Sequence, residues 1–245
     1  MKYKITIEYL GSNLSGWQKQ KSAPSVQEKI EDAIYILTKE RVEVVGAGRT
    51  DAGVHAYAQV AHFSISKELE CYKLKASLNY FLRFCSIVII ECVKISEQFH
   101  ARFSAKKRHY LYKILNRDTM SILDKDFKYW IKTPLSIQNM QKAAQFFIGT
   151  HNFNAFRASG CQAKSPIRTI DEVKIIVQDI TNINIYIIAE SFLQRMVRKI
   201  VGSLIMVGKN KCSFNKIPNI ISSQDKSKTG PTAPATGLYL LKIDY

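Results

Sequence analysis

An α+β protein of two similar halves is what this sequence predicts. Apolar residues alternate along several short segments, the period-2 mark of half-buried strands, and recur at helical spacing along others. The order strand, helix, strands, helix then runs through the chain twice. No sequence repeat accompanies that order. The division falls near residue 105, with an N-terminal α+β half over 1–105 and a C-terminal α+β half over 106–245.

In the first half, residues 2–10 alternate as a strand, and Gly11, Ser12 and Gly16 make a loop before Trp17. Ser25-x-x-Glu28 reads as a capping box, opening a helix whose apolar face is Val26, Ile30, Ala33, Ile34 and Leu37. Strands over 42–45 and 57–63 flank a glycine-rich connection. A helix over 70–82 and a buried strand over 86–93 complete this half. In the second half, His109–Leu115 alternates as a strand, and a helix follows with Ile137, Met140, Ala144 and Phe147 on one face. Strands over 172–178 and 183–190 lead to a helix from Leu193 to Val207. Its stripe is Leu193, Met196, Val197, Ile200, Val201, Leu204 and Ile205. A strand from Leu238 to Asp244 comes last.

Composition narrows the function. The chain has 245 residues, 46% hydrophobic, enough for a sizeable core. Lys and Arg number 36 against 20 Asp and Glu, a formal charge of +16. So many hydrophobes exclude a disordered basic tail, and a folded protein this basic is expected to meet a polyanion. Its longest apolar stretch, around Ile87–Ile90, is far short of the roughly 18 residues a spanning helix needs. No membrane association is expected. Five cysteines (Cys71, Cys85, Cys92, Cys161 and Cys212) include no C-x-x-C pair, which speaks against a disulfide framework and a zinc ribbon. A cytoplasmic protein with reduced thiols is the expectation.

Three segments could carry chemistry. Gly46-Ala47-Gly48-Arg49-Thr50-Asp51-Ala52-Gly53-Val54-His55 places three glycines in eight residues, which implies tight turns or close approach of a ligand. A dinucleotide fingerprint fails because Asp51 stands at its third glycine and a strand follows, and no Gly-Lys-Ser/Thr forms a Walker loop. Read alone, the loop is a structural turn capped by Asp51. A metal shared by Asp51 and His55 lacks further ligands. Phe99–Tyr112 interleaves basic and aromatic residues, suited to phosphates and bases, although Tyr110 and Tyr112 on one strand face are, read alone, more often core aromatics. The third segment sets Arg195, Arg198 and Lys199 beside an apolar stripe, where cations also serve as a surface rim. Arg157, Lys164, Arg168, Lys209, Lys211, Lys226 and Lys228 add charge to this half.

Taken together, these segments resemble the bacterial tRNA pseudouridine synthase A family from end to end. The resemblance lies in Gly16-Trp17-Gln18-Lys19-Gln20, Gly46–Phe63, Phe99–Tyr112, Phe192–Gly202 and Gly230-Pro231-Thr232-Ala233-Pro234-Ala235. Departures are Leu10 for a frequent Asp, Arg83 for a usual Pro and Asn152 for a common Asp. The resemblance implies two α+β halves sharing a continuous, mainly antiparallel sheet flanked by helices, with a basic catalytic cleft between them. It implies a homodimer that isomerises uridine to pseudouridine at positions 38, 39 and 40 of the tRNA anticodon stem-loop, without cofactor or metal. Asp51 matches the family's catalytic aspartate. Arg49 matches the residue that holds the flipped nucleotide, Tyr110 the active-site tyrosine, and Arg198 the active-site basic residue. The rival reading is a non-catalytic tRNA-binding chaperone on the same scaffold.

Overall fold

The computed structural model describes residues 1–20 and 23–245. It divides into two compact units, Met1–Lys106 with Tyr239–Tyr245, and Lys107–Leu238.

The first unit opens with β1 (Lys2–Tyr9), whose alternation buries Tyr3, Ile5, Ile7 and Tyr9. Each such burial is worth roughly 1.5–3 kcal/mol, so the period-2 pattern selects one face for the core. Helix α1 (Val26–Thr38) starts where Ser25 Oγ accepts the Glu28 N–H at 3.2 Å, as the capping signature requires. It ends at Lys39 in the left-handed region, and its buried face includes Val26, Ile30, Ala33 and Ile34. Two-residue β2 (Val45–Gly46) pairs antiparallel with β3 (His55–Ser64), and α2 (Cys71–Leu82) precedes β4 (Ile87–Lys94). Strands β4, β1 and β3 lie side by side and antiparallel.

Two expectations are corrected in this unit. The strand expected over 42–45 shrinks to Val45–Gly46, because the Val44 N–H donates to the Glu31 carboxylate (3.1 Å) instead of a strand partner. The strand expected to be buried, β4, is the outer strand and is covered on one face only. Ile87, Ile89 and Cys92 point inward while Val88 and Ile90 are exposed.

The second unit contains β5 (Lys107–Asn116), β6 (Tyr129–Ile131), α3 (Ile137–Gln145), β7 (Gly149–Asn152), β8 (Ile167–Val177), β9 (Asn182–Ala189), α4 (Met196–Gly208) and α5 (Ile217–Ser223). Strands β5, β9, β8 and β7 form an antiparallel row, and β6 pairs parallel with β5. Helix α4 begins three residues later than its apolar stripe. Arg195 takes a left-handed turn (φ 62°) and Leu193–Arg195 lead into the helix, yet the whole stripe from Leu193 to Ile205 is buried. Phe147, expected on α3, lies just beyond that helix and is also buried.

The closing strand, β10 (Leu238–Asp244), runs parallel to β3 through Tyr239 beside His55 and Leu240 beside Ala56. It therefore lies with the first unit, rather than in a half running unbroken from 106 to 245. Strands assort by pairing, which chain order does not encode.

Among the described residues, no helix is long and apolar enough to cross a membrane. No three His, Cys, Asp or Glu side chains among them gather so as to hold a metal ion.

Candidate active site

The glycine-rich loop between β2 and β3 is pinned at almost every residue. The Ala47 N–H donates to Val60 O (2.8 Å), and Gln59 Nε2 donates to Gly48 O (2.8 Å). Trp17 N–H donates to Thr50 O (3.1 Å), while the hydroxyls of Thr50 and Tyr9 share a buried hydrogen bond of 2.8 Å. Asp51 O then accepts the Val54 N–H (3.1 Å), closing a tight turn. The loop packs against Gly16, whose φ of 95° and position bring any added Cβ to 2.4 Å from Thr50 O. A side chain at Gly46 would strike the Trp17 ring at 2.4 Å. Only glycine permits these approaches. Arg49 is exposed and Asp51 half-buried at the tip of the resulting turn.

His55 has a structural part to play. Its Nδ1 accepts the Gly11 N–H at 3.1 Å, which places the ring proton on Nε2. The ring is buried and stacks on Tyr239, with centroids 4.7 Å apart. A metal bridging Asp51 and His55 would have to break that hydrogen bond or that stack.

In the second unit the two tyrosines of β5 separate in role. Tyr112 is fully buried and donates its hydroxyl to Pro234 O (2.9 Å), and burial pushes its phenol well above the ordinary range. The charge of Arg198 opposes that rise, so the guanidinium lies electrostatically close to β5. Tyr110 is half-buried, its ring edge-on to Phe192 at 5.2 Å. Of the two, Tyr110 is the more exposed.

Arg198 occupies the first turn of α4. Its Nε donates to Ala233 O (2.7 Å), and the Ala233 N–H donates back to Arg198 O (3.1 Å). This reciprocal pair clamps the segment 230–235 onto α4 and fixes the arginine's direction. Arg195 is exposed on the turn before the helix. Thus Arg49 and Asp51 share one loop of the first unit, and Tyr110 and Arg198 belong to the second. The sequence reading missed the supports: Tyr9, Thr50 and the Ala233 clamp. Tyr9 did carry a signal, as an apolar-phase strand residue with a hydroxyl that needs a partner once buried.

Comparison with known proteins decides the kinship. A sequence model described as tRNA pseudouridine synthase matches residues 5–104 and 143–245. The chain belongs to the tRNA pseudouridine synthase family. It is 50% identical to the tRNA pseudouridine synthase A of Ehrlichia chaffeensis and 48% identical to that of Wolbachia pipientis wMel, each over 100% of both chains. It is therefore an isomerase acting on tRNA. The synthase also aligns with a chain of a Cbf5-Nop10-Gar1 complex at TM-score 0.35 and 12% identity, covering 83% of this chain and 45% of that one. The matched segments of the synthase contain Arg49, Asp51 and Arg198, whereas Tyr110 falls in the stretch between them.

Proposed function

We propose that this synthase converts uridine to pseudouridine at positions 38, 39 and 40 of the tRNA anticodon stem-loop, with Asp51 as the catalytic carboxylate. The observation that carries this reading is the way the Asp51 loop is held. Backbone bonds and the side chains of Gln59, Tyr9 and Thr50 hold the loop, and its tight turn presents Asp51 half-buried at the tip. A carboxylate held on a rigid, half-buried turn suits a reaction that builds charge at an anomeric carbon.

The reaction breaks the N1–C1′ bond, turns the uracil and joins C5 to C1′. The C5 proton leaves and N1 ends with a proton, so atoms balance with no net oxidation. Charge builds at the anomeric carbon as in glycoside hydrolysis, and a carboxylate there acts by addition or by assisting elimination. Arg198 is the active-site basic residue that the family resemblance assigns, held in direction by its bond to Ala233 O. Arg49 holds the extruded nucleotide, since a stacked base must leave the stem to react. Tyr110 lies against the uracil and its hydroxyl serves the C5 proton transfer.

The protein acts as a homodimer in the cytoplasm, a reading that rests on the family resemblance. Five free thiols fit a reducing compartment. The test is carbodiimide and primer-extension mapping of tRNA incubated with the protein, with sedimentation in parallel. New stops at positions 38–40 are expected. Tight tRNA binding with no stops would favour the non-catalytic chaperone.

A further inference from the structure

Lys199 follows Arg198 in α4 but faces a different set of groups. Its Nζ is half-buried and donates only to neutral oxygens, Ala155 O at 3.3 Å and Thr229 Oγ1 at 3.4 Å. Thr229 Oγ1 in turn donates to Lys226 O (2.9 Å), which ties the lysine to the short 3-10 turn Lys226–Lys228. That turn carries a second lysine, Lys226, whose backbone carbonyl is bonded to the same threonine hydroxyl. Burial, and then the charge of Lys226, hold the Lys199 pKa below the usual lysine range.

A cation withdrawn from water beside another cation is costly unless an anion joins them. The adjacent carboxylate does not fill that role. Asp225 turns toward Ser227, accepting its N–H (2.9 Å) and its hydroxyl (2.7 Å). Its pKa is lowered by those bonds and, more weakly, by Lys228, with no contribution from Lys199. No ion pair engages Lys199 or Lys226 among the described residues. The contrast with Lys73 is plain, since its ammonium sits 3.2 Å from Glu70.

The site is also braced. Ser203 Oγ donates to Lys199 O (3.0 Å) and accepts the Gly230 N–H (2.9 Å), so α4 and the segment after the 3-10 turn move as one piece. Asn154 Nδ2 reaches Gln224 O at 3.4 Å from the other side. The Lys199 ammonium and the turn that carries Lys226 are thus anchored on packed elements, which favours a compact, highly charged anion over a diffuse counterion cloud.

We propose that Lys199 and Lys226 form a phosphate-binding site that grips a backbone phosphodiester of the bound tRNA. This rests on tRNA being the substrate, and it adds a contact that carries no base identity. Phosphate contacts position an RNA rather than read its sequence. The site therefore sets where the stem lies against the C-terminal unit.

The test measures tRNA affinity against salt between about 50 and 200 mM for the parent, Lys199→Gln, Lys226→Gln and Lys73→Gln. Each phosphate contact contributes about 0.7–0.9 to the slope of log K on log salt. Both site variants should lose about that much slope, Lys199→Arg should keep it, and Lys73→Gln should match the parent. Lys199→Gln removes a half-buried charge facing a like charge, so its melting temperature should not fall. Should it fail to fold, Lys226→Gln in its surface turn reads the same slope.

A second arm compares melting in inorganic phosphate with chloride at equal ionic strength. A phosphate stabilisation lost in Lys199→Gln, with the tRNA slope unchanged, would identify free phosphate as the occupant and overturn the RNA assignment. Parental slopes in both site variants would overturn the site altogether. Pseudouridine is scored separately on the parent. Binding without product there would count against the catalytic reading, while the slopes would still decide the phosphate site.

Discussion

Tyr9 at the end of β1 and Thr50 in the glycine-rich loop share a buried hydroxyl–hydroxyl bond of 2.8 Å, one residue before the proposed catalytic carboxylate. Burial pushes the Tyr9 phenol up to about 12, so it stays neutral through the physiological range. The tyrosine that fills the strand's core phase also holds the loop that carries Asp51.

Tyr9→Phe should therefore act on stability and on turnover. Losing one partner of a buried pair costs about 1–3 kcal/mol, which in a chain of this size lowers the melting temperature by roughly 2–4 °C per kcal/mol. Loosening Thr50 should also lower kcat while tRNA affinity stays near parental. Melting curves and single-turnover assays read both effects. Unchanged kcat in a destabilised variant would confine Tyr9 to packing.

Asp51→Asn is expected to fold, bind tRNA and make no pseudouridine. Asp51 closes its turn through its backbone carbonyl, which accepts the Val54 N–H (3.1 Å) and survives the substitution, so the variant should stay folded. Release of tritium from carbon 5 of uridine measures the chemistry. Turnover in a preparation shown by mass spectrometry to be free of deamidated Asp would end the assignment.

The two tyrosines of β5 should differ in which property the same change affects most. Tyr112→Phe takes the donor from the half-buried Pro234 carbonyl and should destabilise by about 0.5–1.5 kcal/mol. Tyr110→Phe keeps its edge contact with Phe192 and should lose turnover much more than affinity. Thermal melts beside tritium release separate the two. A fully active Tyr110→Phe would leave stacking as the residue's whole contribution.

His62 makes the first unit acid-sensitive. Its Nδ1 accepts the Ala101 N–H (3.1 Å), a bond that protonation at that atom would break. Burial first, then the charges of Lys2 and His100, push its pKa from 6.5 to about 4. With the folded value below the unfolded one, its contribution is fully present above about pH 6.5 and is lost as pH falls through about 4. The melting temperature should drop across that window, and His62→Gln should flatten the drop. Superimposable pH profiles for parent and variant would dismiss the histidine as the cause.

Much of this protein was legible in one dimension. The alternation of Tyr3, Ile5, Ile7 and Tyr9, the Ser25 cap and the stripe from Leu193 to Ile205 are local signals, set by strand and helix periods acting over a few residues. The Gly46–His55 loop stood out for the same reason, because clustered glycines change what the backbone itself can do. What the sequence could not express is partnership across distance. Tyr110 and Tyr112 are two residues apart with one periodicity, and only packing shows that Pro234, over 100 positions away, claims the second hydroxyl. Nothing local in the sequence shows that the His55 ring is held by Gly11 and Tyr239. β10 follows the second unit in the chain and pairs with β3 in the first. Lys199 and Lys226 become one site only when a helix and a distant turn are packed together. Periods and propensities act between neighbours, whereas desolvation, like-charge proximity and strand pairing depend on which remote groups share a space, and the tertiary structure alone decides that.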